Sequence, residues 1–220
     1  LEQEMKAHHT AKNEPFRWRW QEGNKHYGWG TALAYKNTGL GGGAPDKSEA
    51  EVELWIDAER GAVAEVRTSS AEMGQGLPAV LAQVTAEALG LPYTHINVLL
   101  SDTDHTPDGG PTTASRQTYV SGNAARHAAY EMRQLLAGAA AERLDCSPDE
   151  LIFAEGCIRV NGHQIDMAQA IEWAKEEGRA TKISYEYWAP KTQPLGTGGD
   201  MHVAFGFGAI GAGIGIANVG

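Results

Sequence analysis

The sequence predicts an α+β fold: a mixed or antiparallel sheet with helices packed on one side, including one long helix after a glycine/threonine-rich loop. Three observations carry this prediction. Residues 49–57 (EAEVELWID) and 62–70 (AVAEVRTSS) alternate apolar and polar around AERG, the pattern of two half-buried strands in a hairpin. Residues 115–144 hold a helical apolar period with no proline to interrupt it. The strand-like runs come in groups and do not alternate strictly with helices, which disfavours a doubly wound parallel sheet.

Taken in order, YGWGTALAY (27–35) reads as a strand whose glycines suggest a bulge or a close neighbour. NTGLGGGAPDKS (37–48) is a glycine-rich loop leading into the hairpin. After Glu72-Met73-Gly74-Gln75-Gly76, a helix has Val80, Leu81, Val84, Ala88 and Leu89 at helical spacing. Pro78 lies in its first turn, where a missing N–H is tolerated, and Gly90 and Pro92 stop it. HINVLLSD (95–102) reads as a buried strand and TDHTPDGGPTTAS (103–115) as a loop. The inner stripe of the long helix is expected at Val120, Ala124, Ala128, Met132, Leu135 and Ala139. Small residues from Ser121 to Ala129 would let another backbone approach closely. Short strands follow near LIFAEG, CIRVNG and HQI, then a helix at about 167–178, then strands at KISYEYW and MHVAFGF.

This order divides the chain into a polar lead-in (1–25), one main domain (26–208) and a glycine-rich tail (209–220). Its 28 acidic residues against 18 basic ones argue against a nucleic-acid surface. Two cysteines without CxxC spacing give no disulfide, zinc or iron–sulfur framework, so a cytoplasmic setting is the default. No apolar run is long enough to span a bilayer.

Two loops hold the candidate chemistry. In the first, Gly74 and Gly76 permit close backbone approach, Gln75 offers an amide donor and acceptor, and the following helix start offers N–H groups. A tight strand-to-helix turn explains the same residues equally well. In the second, Gly109 and Gly110 lead to Thr112, Thr113, Ser115, Arg116, Gln117 and Thr118, an anion-binding composition beside a helix start. Ordinary helix capping is the competing explanation. Asp102 and Asp104 fit turn formation, and His127 fits packing, better than catalysis. No GxxxxGK[ST] or strand–GxGxxG–helix pattern occurs, which disfavours the common ATP and NAD modes.

In combination, AEMGQGLPAVLAQVTAEALGLP, SDTDHTPDGGPTTASRQTYVSGNAARHAA and the upstream YGWGTALAYKNTGLGGGAPDKSEAEVEL resemble the xanthine dehydrogenase/aldehyde oxidase family. The match is to the C-terminal part of the molybdopterin-binding large subunit, strong over residues 25–145 and looser to about 208. The resemblance implies that Gly74, Gln75 and Gly76 contact the pterin near molybdenum. It places Thr113 and Ala114 beside the substrate pocket, and Ser115, Arg116 and Gln117 on the pterin and phosphate portion. The pterin dithiolene holds the metal, so no protein residue is expected to ligate it. The cytosine dinucleotide form of molybdopterin is common among prokaryotic-looking relatives, and its extra phosphate would suit Arg116.

The family chemistry is hydroxylation of an aldehyde or N-heterocycle by water. Electrons leave through an iron–sulfur subunit or domain and, in many members, an FAD one; both lie outside this chain, as does the rest of the large subunit. The family's general base is a glutamate in a Gly-Glu-type motif, and no carboxylate follows Asp200 here. No catalytic residue is therefore assigned, and the isolated chain is expected to be inactive. The rival reading is a non-catalytic scaffold or interaction domain of the same fold that binds no pterin.

Overall fold

Residues 19–28 and 38–192 are described by the computed structural model of the protein. They fall in two units divided after Lys36. In the first, β1 (Arg19–Glu22) and β2 (Lys25–Gly28) form an antiparallel hairpin. Trp20 stacks on its cross-strand partner Tyr27 with ring centroids 5.2 Å apart. A hairpin thus occupies the end of the stretch read as a polar lead-in. Most of the strand expected at 27–35, the strand at 201–207 and the tail at 209–220 lie outside the described residues.

The second unit is built on a four-stranded mixed sheet whose strands lie in the order Ile96–Leu100, Gly61–Thr68, Lys47–Asp57 and Lys182–Trp188. The predicted hairpin is β3 (Lys47–Asp57) with β4 (Gly61–Thr68), antiparallel. Helix α1 (Leu77–Leu89) then carries the chain over to β5 (Ile96–Leu100), which pairs parallel to β4. Strand β9 (Lys182–Trp188) closes the other side of β3, antiparallel. The long helix is α2 (Gly122–Leu144), entered through a π-helical turn at Gln117–Ser121. A separate antiparallel meander of β6 (Ile152–Ala154), β7 (Cys157–Val160) and β8 (His163–Asp166) leads into α3 (Met167–Glu176). The fold is α+β, as the grouping of strands predicted.

Alternation along β3 and β4 explains which face is covered. Ser48, Ala50, Val52 and Leu54 of β3 are buried with Ala62, Ala64, Val66 and Thr68 of β4, beneath the helices. The opposite face is charged. There the Arg67 guanidinium meets Glu51 at 2.8 Å, Glu53 at 2.6 Å and Glu65 at 2.7 Å. A one-residue slip would invert both faces at once, so burial and charge pairing specify the same register.

Helix α2 is the centre of the domain, touching α1, α3, β3 and β9. Ala124, Ala125, Ala128 and Ala129 are all fully buried, and their small side chains permit the close approach that the sequence suggested. Two of the expected stripes shift. On α2 the buried leucine is Leu136, while Leu135 is half-buried. The inner face continues by steps of four past Met132, because α2 is covered on several sides and not along one seam. On α1 the covered ridge is Leu77, Leu81, Thr85 and Leu89, with Val80, Val84 and Ala88 on its half-buried flank. Strand β5 is half-exposed along its whole length and not buried, because it ends the sheet order among the described residues.

Candidate functional site

The β4–α1–β5 unit brings the carboxyl ends of two parallel strands to one edge of the sheet. Three segments meet there: the turn at 71–76, the loop at 101–121 and the glycine-rich loop at 38–46.

The first segment is closed by its own glutamate. The Glu72 carboxylate accepts N–H bonds from Gly74 at 2.5 Å, Gly76 at 3.1 Å and Leu77 at 2.6 Å. It thereby caps α1 in place of Gly76, which has no side chain to do so. Desolvation pulls the Glu72 pKa up, but the N–H groups of Gly76, Gly74, Leu77 and Gln75 outweigh it and hold it below the usual value. Gly74 and Gly76 both have positive φ, at 98° and 77°, which accounts for their residue type. Gln75 folds back: its amide nitrogen donates to the Ala71 carbonyl at 2.8 Å and its oxygen accepts from the Met73 N–H at 2.5 Å.

The second segment is laid across the ends of β3 and β4. The Pro107 carbonyl accepts from Ser69 N–H and the Asp108 carbonyl from Glu49 N–H, each at 2.9 Å. Asp102 organises the entry to this loop, accepting from the N–H groups of Asp104 at 2.9 Å and His105 at 3.1 Å. Gly109 then passes so close to the sheet that a β-carbon would lie 2.4 Å from Thr68 Oγ1. Beyond it, Ala114 and Ser115 adopt consecutive left-handed conformations, φ 52° and 53°, without being glycine. Such residues cost about 1–3 kcal/mol each and persist where the surroundings over-determine them. Thr113 and Ser115 are exposed at this turn, and their hydroxyls have no partner among the described residues.

The surroundings that hold the turn are buried. Arg116 is wholly inaccessible and makes an ion pair with Asp46, Nε to Oδ1 at 2.7 Å. Its Nη1 donates to the carbonyls of Gly109 at 2.8 Å and Pro111 at 2.9 Å, and its Nη2 donates to the Lys47 carbonyl. Gln117 is also buried. Its oxygen accepts from Ser70 Oγ at 2.6 Å and from Ser121 Oγ, and its nitrogen donates to Thr112 Oγ1 at 2.9 Å. Ser48 Oγ donates to Ser121 Oγ at 2.8 Å, so this polar cluster has every member satisfied.

Cross-links between segments make the three one structure. The Ala71 N–H donates to Thr112 Oγ1 at 2.8 Å, joining the turn to the second loop. The Gly39 N–H donates to the Ala114 carbonyl at 3.0 Å, and the Leu40 N–H to Asp46 Oδ2 at 2.8 Å, joining the glycine-rich loop. All eight candidate residues, Gly74, Gln75, Gly76, Thr113, Ala114, Ser115, Arg116 and Gln117, therefore lie at one edge. They differ in exposure: Arg116 and Gln117 are inside the protein, the others half-buried or open. Sequence reasoning missed Asp46, Ser48, Ser70, Thr112 and Ser121 as the support. The available signal was a lone aspartate ending a glycine-rich loop directly before a strand. His127 lies elsewhere, stacked on Tyr185 with centroids 4.8 Å apart.

Among the described residues this edge is built from glycines and small polar side chains, and no cluster of His, Cys, Asp or Glu could hold a metal ion. The chain belongs to the molybdopterin cofactor-binding domain family of the xanthine dehydrogenase/aldehyde oxidase type, whose profile matches residues 2–217. It is 36% identical over 107 residues to the 6-hydroxypseudooxynicotine dehydrogenase complex subunit gamma of Paenarthrobacter nicotinovorans, covering 49% of this chain and 14% of that protein. It is 33% identical over 106 residues to the nicotine 6-hydroxylase large subunit of the same organism, covering 46% of this chain and 13% of that protein. Its fold is similar to quinoline 2-oxidoreductase from Pseudomonas putida 86, with a TM-score of 0.58 at 21% identity over 72% of this chain and 22% of that one.

Proposed function

We propose that this chain forms one wall of the molybdopterin site in a molybdenum hydroxylase, a larger oxidoreductase of which it contributes the cofactor-holding part. The observation that carries the reading is the meeting of three loops at the carboxyl edge of β4 and β5, where Thr113 and Ser115 offer hydroxyls with no partner among the described residues. The residues present fit the group. Its dithiolene supplies the metal ligands, so the protein needs donors and close backbone approach, and a β-carbon on Gly74 or Gly76 would meet open space.

In this reading the Gly74–Gly76 turn and the Thr113 and Ser115 hydroxyls would hold the pterin. The short side chains of Thr113 and Ala114 would leave room for substrate. Gln75 would donate to the pterin only on releasing the Ala71 carbonyl, which its amide nitrogen holds. Gln117, in its buried cluster, fixes the loop from below. When bound, molybdopterin supplies the redox centre at which an aldehyde or N-heterocycle is hydroxylated with oxygen from water. The cytosine dinucleotide form, the iron–sulfur and FAD partners, the rest of a large subunit and a cytoplasmic location all belong to this proposal. The relative named for nicotine makes N-heterocycles the first substrates to assay.

The test is molybdenum analysis with fluorescence of extracted pterin, on protein made in a host that makes the cofactor. Stoichiometric molybdenum and pterin are expected. A chain folded by circular dichroism yet free of pterin would refute independent cofactor binding and favour the non-catalytic scaffold.

A further inference from the structure

At Arg116 the chemistry of the side chain and its position disagree. A guanidinium is the side chain best suited to a phosphate, but this one has no access to a ligand: it is completely buried, and Asp46 and three backbone carbonyls occupy it. Its partners come from two places in the chain: Asp46 and Lys47 lie where the glycine-rich loop enters β3, and Gly109 and Pro111 precede the left-handed turn that Arg116 follows. Asp46 extends the clamp further, because its second oxygen accepts from Leu40 N–H at 2.8 Å while Gly39 N–H holds the Ala114 carbonyl. Gly110 fits the same arrangement: a β-carbon there would lie 3.1 Å from both terminal nitrogens of Arg116.

We propose that Arg116 is a positioning residue that, through Asp46 and the carbonyls of Lys47, Gly109 and Pro111, holds the Ala114–Ser115 turn in the shape that receives the cofactor, without touching the cofactor itself. A fork of donors is needed for this work, since a lysine ammonium can match the charge of Asp46 but cannot also span the carbonyls of Lys47 on β3 and of Gly109 and Pro111 on the loop. The inference rests on the pterin reading for what the turn receives. The clamp itself is a property of the chain alone.

Two variants separate positioning from direct contact, because they change the charge offered to a ligand in opposite ways. Arg116→Lys keeps a cation and removes the fork. Asp46→Asn keeps the fork and leaves its charge uncompensated, which would strengthen any direct grip on a phosphate. Both are made in the full chain in a cofactor-producing host. Pterin loss on dialysis and amide hydrogen exchange are then measured. If Arg116 positions, both variants lose pterin roughly 10- to 100-fold faster than the parent, the usual effect of removing a partner that orients a site. Exchange then accelerates in residues 38–47 and 109–117 while the β6–β8 meander keeps its protection. Retained or tightened pterin in Asp46→Asn, with loss only in Arg116→Lys, overturns positioning in favour of contact. Unchanged exchange in both segments overturns the clamp. Should Arg116→Lys fail to fold, Asp46→Asn decides alone, as it leaves the carbonyl bonds of Arg116 in place. A parent chain with no pterin sinks the cofactor reading instead, and the exchange measurement still judges the clamp.

Discussion

Gly109→Ala is a one-methyl change whose cost the structure locates at particular atoms. The added carbon would lie 2.4 Å from Thr68 Oγ1, 2.8 Å from Ser70 Oγ and 3.2 Å from Ser70 N. Neither hydroxyl can step aside cheaply. Thr68 Oγ1 donates to the Glu49 carbonyl at 3.0 Å, Ser70 Oγ donates to Gln117 at 2.6 Å, and both residues are fully buried. The Gly109 backbone is itself held, its N–H donating to Ser69 Oγ at 2.7 Å. Forced overpacking costs about 1–3 kcal/mol. Losing one or two of these hydrogen bonds adds about 0.5–1.5 kcal/mol each. The expected loss is therefore about 2–5 kcal/mol, on the order of 1–2 M in the urea midpoint with the slope of a small domain. Gly162→Ala is the control: φ is +79° and nothing lies within 4 Å of the added carbon, so only the left-handed penalty of about 1–2 kcal/mol applies. Urea unfolding followed by circular dichroism compares the two. A Gly109→Ala midpoint at or above that of Gly162→Ala would refute the close-approach argument.

The shifted stripe on α2 can be tested in the same assay: Leu136→Ala, at a site 1% exposed, is expected to cost about 2–5 kcal/mol. Leu135→Ala, half-buried, should cost clearly less, and equal costs would contradict the assignment of the inner face. The Glu72 cap gives a pH dependence of definite sign. A carboxyl whose pKa is lowered by folding contributes stability that is present above its unfolded value and lost as pH falls through its folded one. Protection of the Gly74, Gly76 and Leu77 amides should accordingly fall on acidification in the parent. In Glu72→Gln it should be weaker and nearly independent of pH, and parallel profiles in the two proteins would contradict the cap.

Most of the fold was legible because it rests on local signals. Period-two alternation gave β3 and β4, and Pro78 and Gly90 bounded α1. What failed depended on neighbours distant in sequence. Whether β5 is buried depends on its rank in the sheet, and a run such as INVLL carries no mark of being at an edge. Whether Leu135 or Leu136 faces inward depends on how many sides of α2 are covered. At the site, glycines marked the right loops, because positive φ and close approach restrict residue type locally. The buried support was not legible in the same way. Arg116 and Glu72 look like surface chemistry in a sequence. Their engagement follows from Asp46, seventy positions before Arg116, and from the path of the 71–76 turn.

The π-helical turn that opens α2 absorbs one residue of chain length. Its signature is the Gly122 N–H bonding to the Gln117 carbonyl, one residue further back than an α-helix reaches. One turn of the screw is closed there by five residues where an α turn uses four, so the chain on either side keeps its phase. A residue removed from the regular part of α2 has no such outlet, because each α-helical residue turns by about 100°. The chain before that deletion would rotate by this angle about the helix axis while the helix after it stayed seated on the sheet. Gln117 would leave Ser70, Arg116 would swing away from Asp46, and the exposed hydroxyls of Thr113 and Ser115 would face another direction. The opening turn is thus the one place on α2 where a change of chain length can be taken up without changing the aim of the loop.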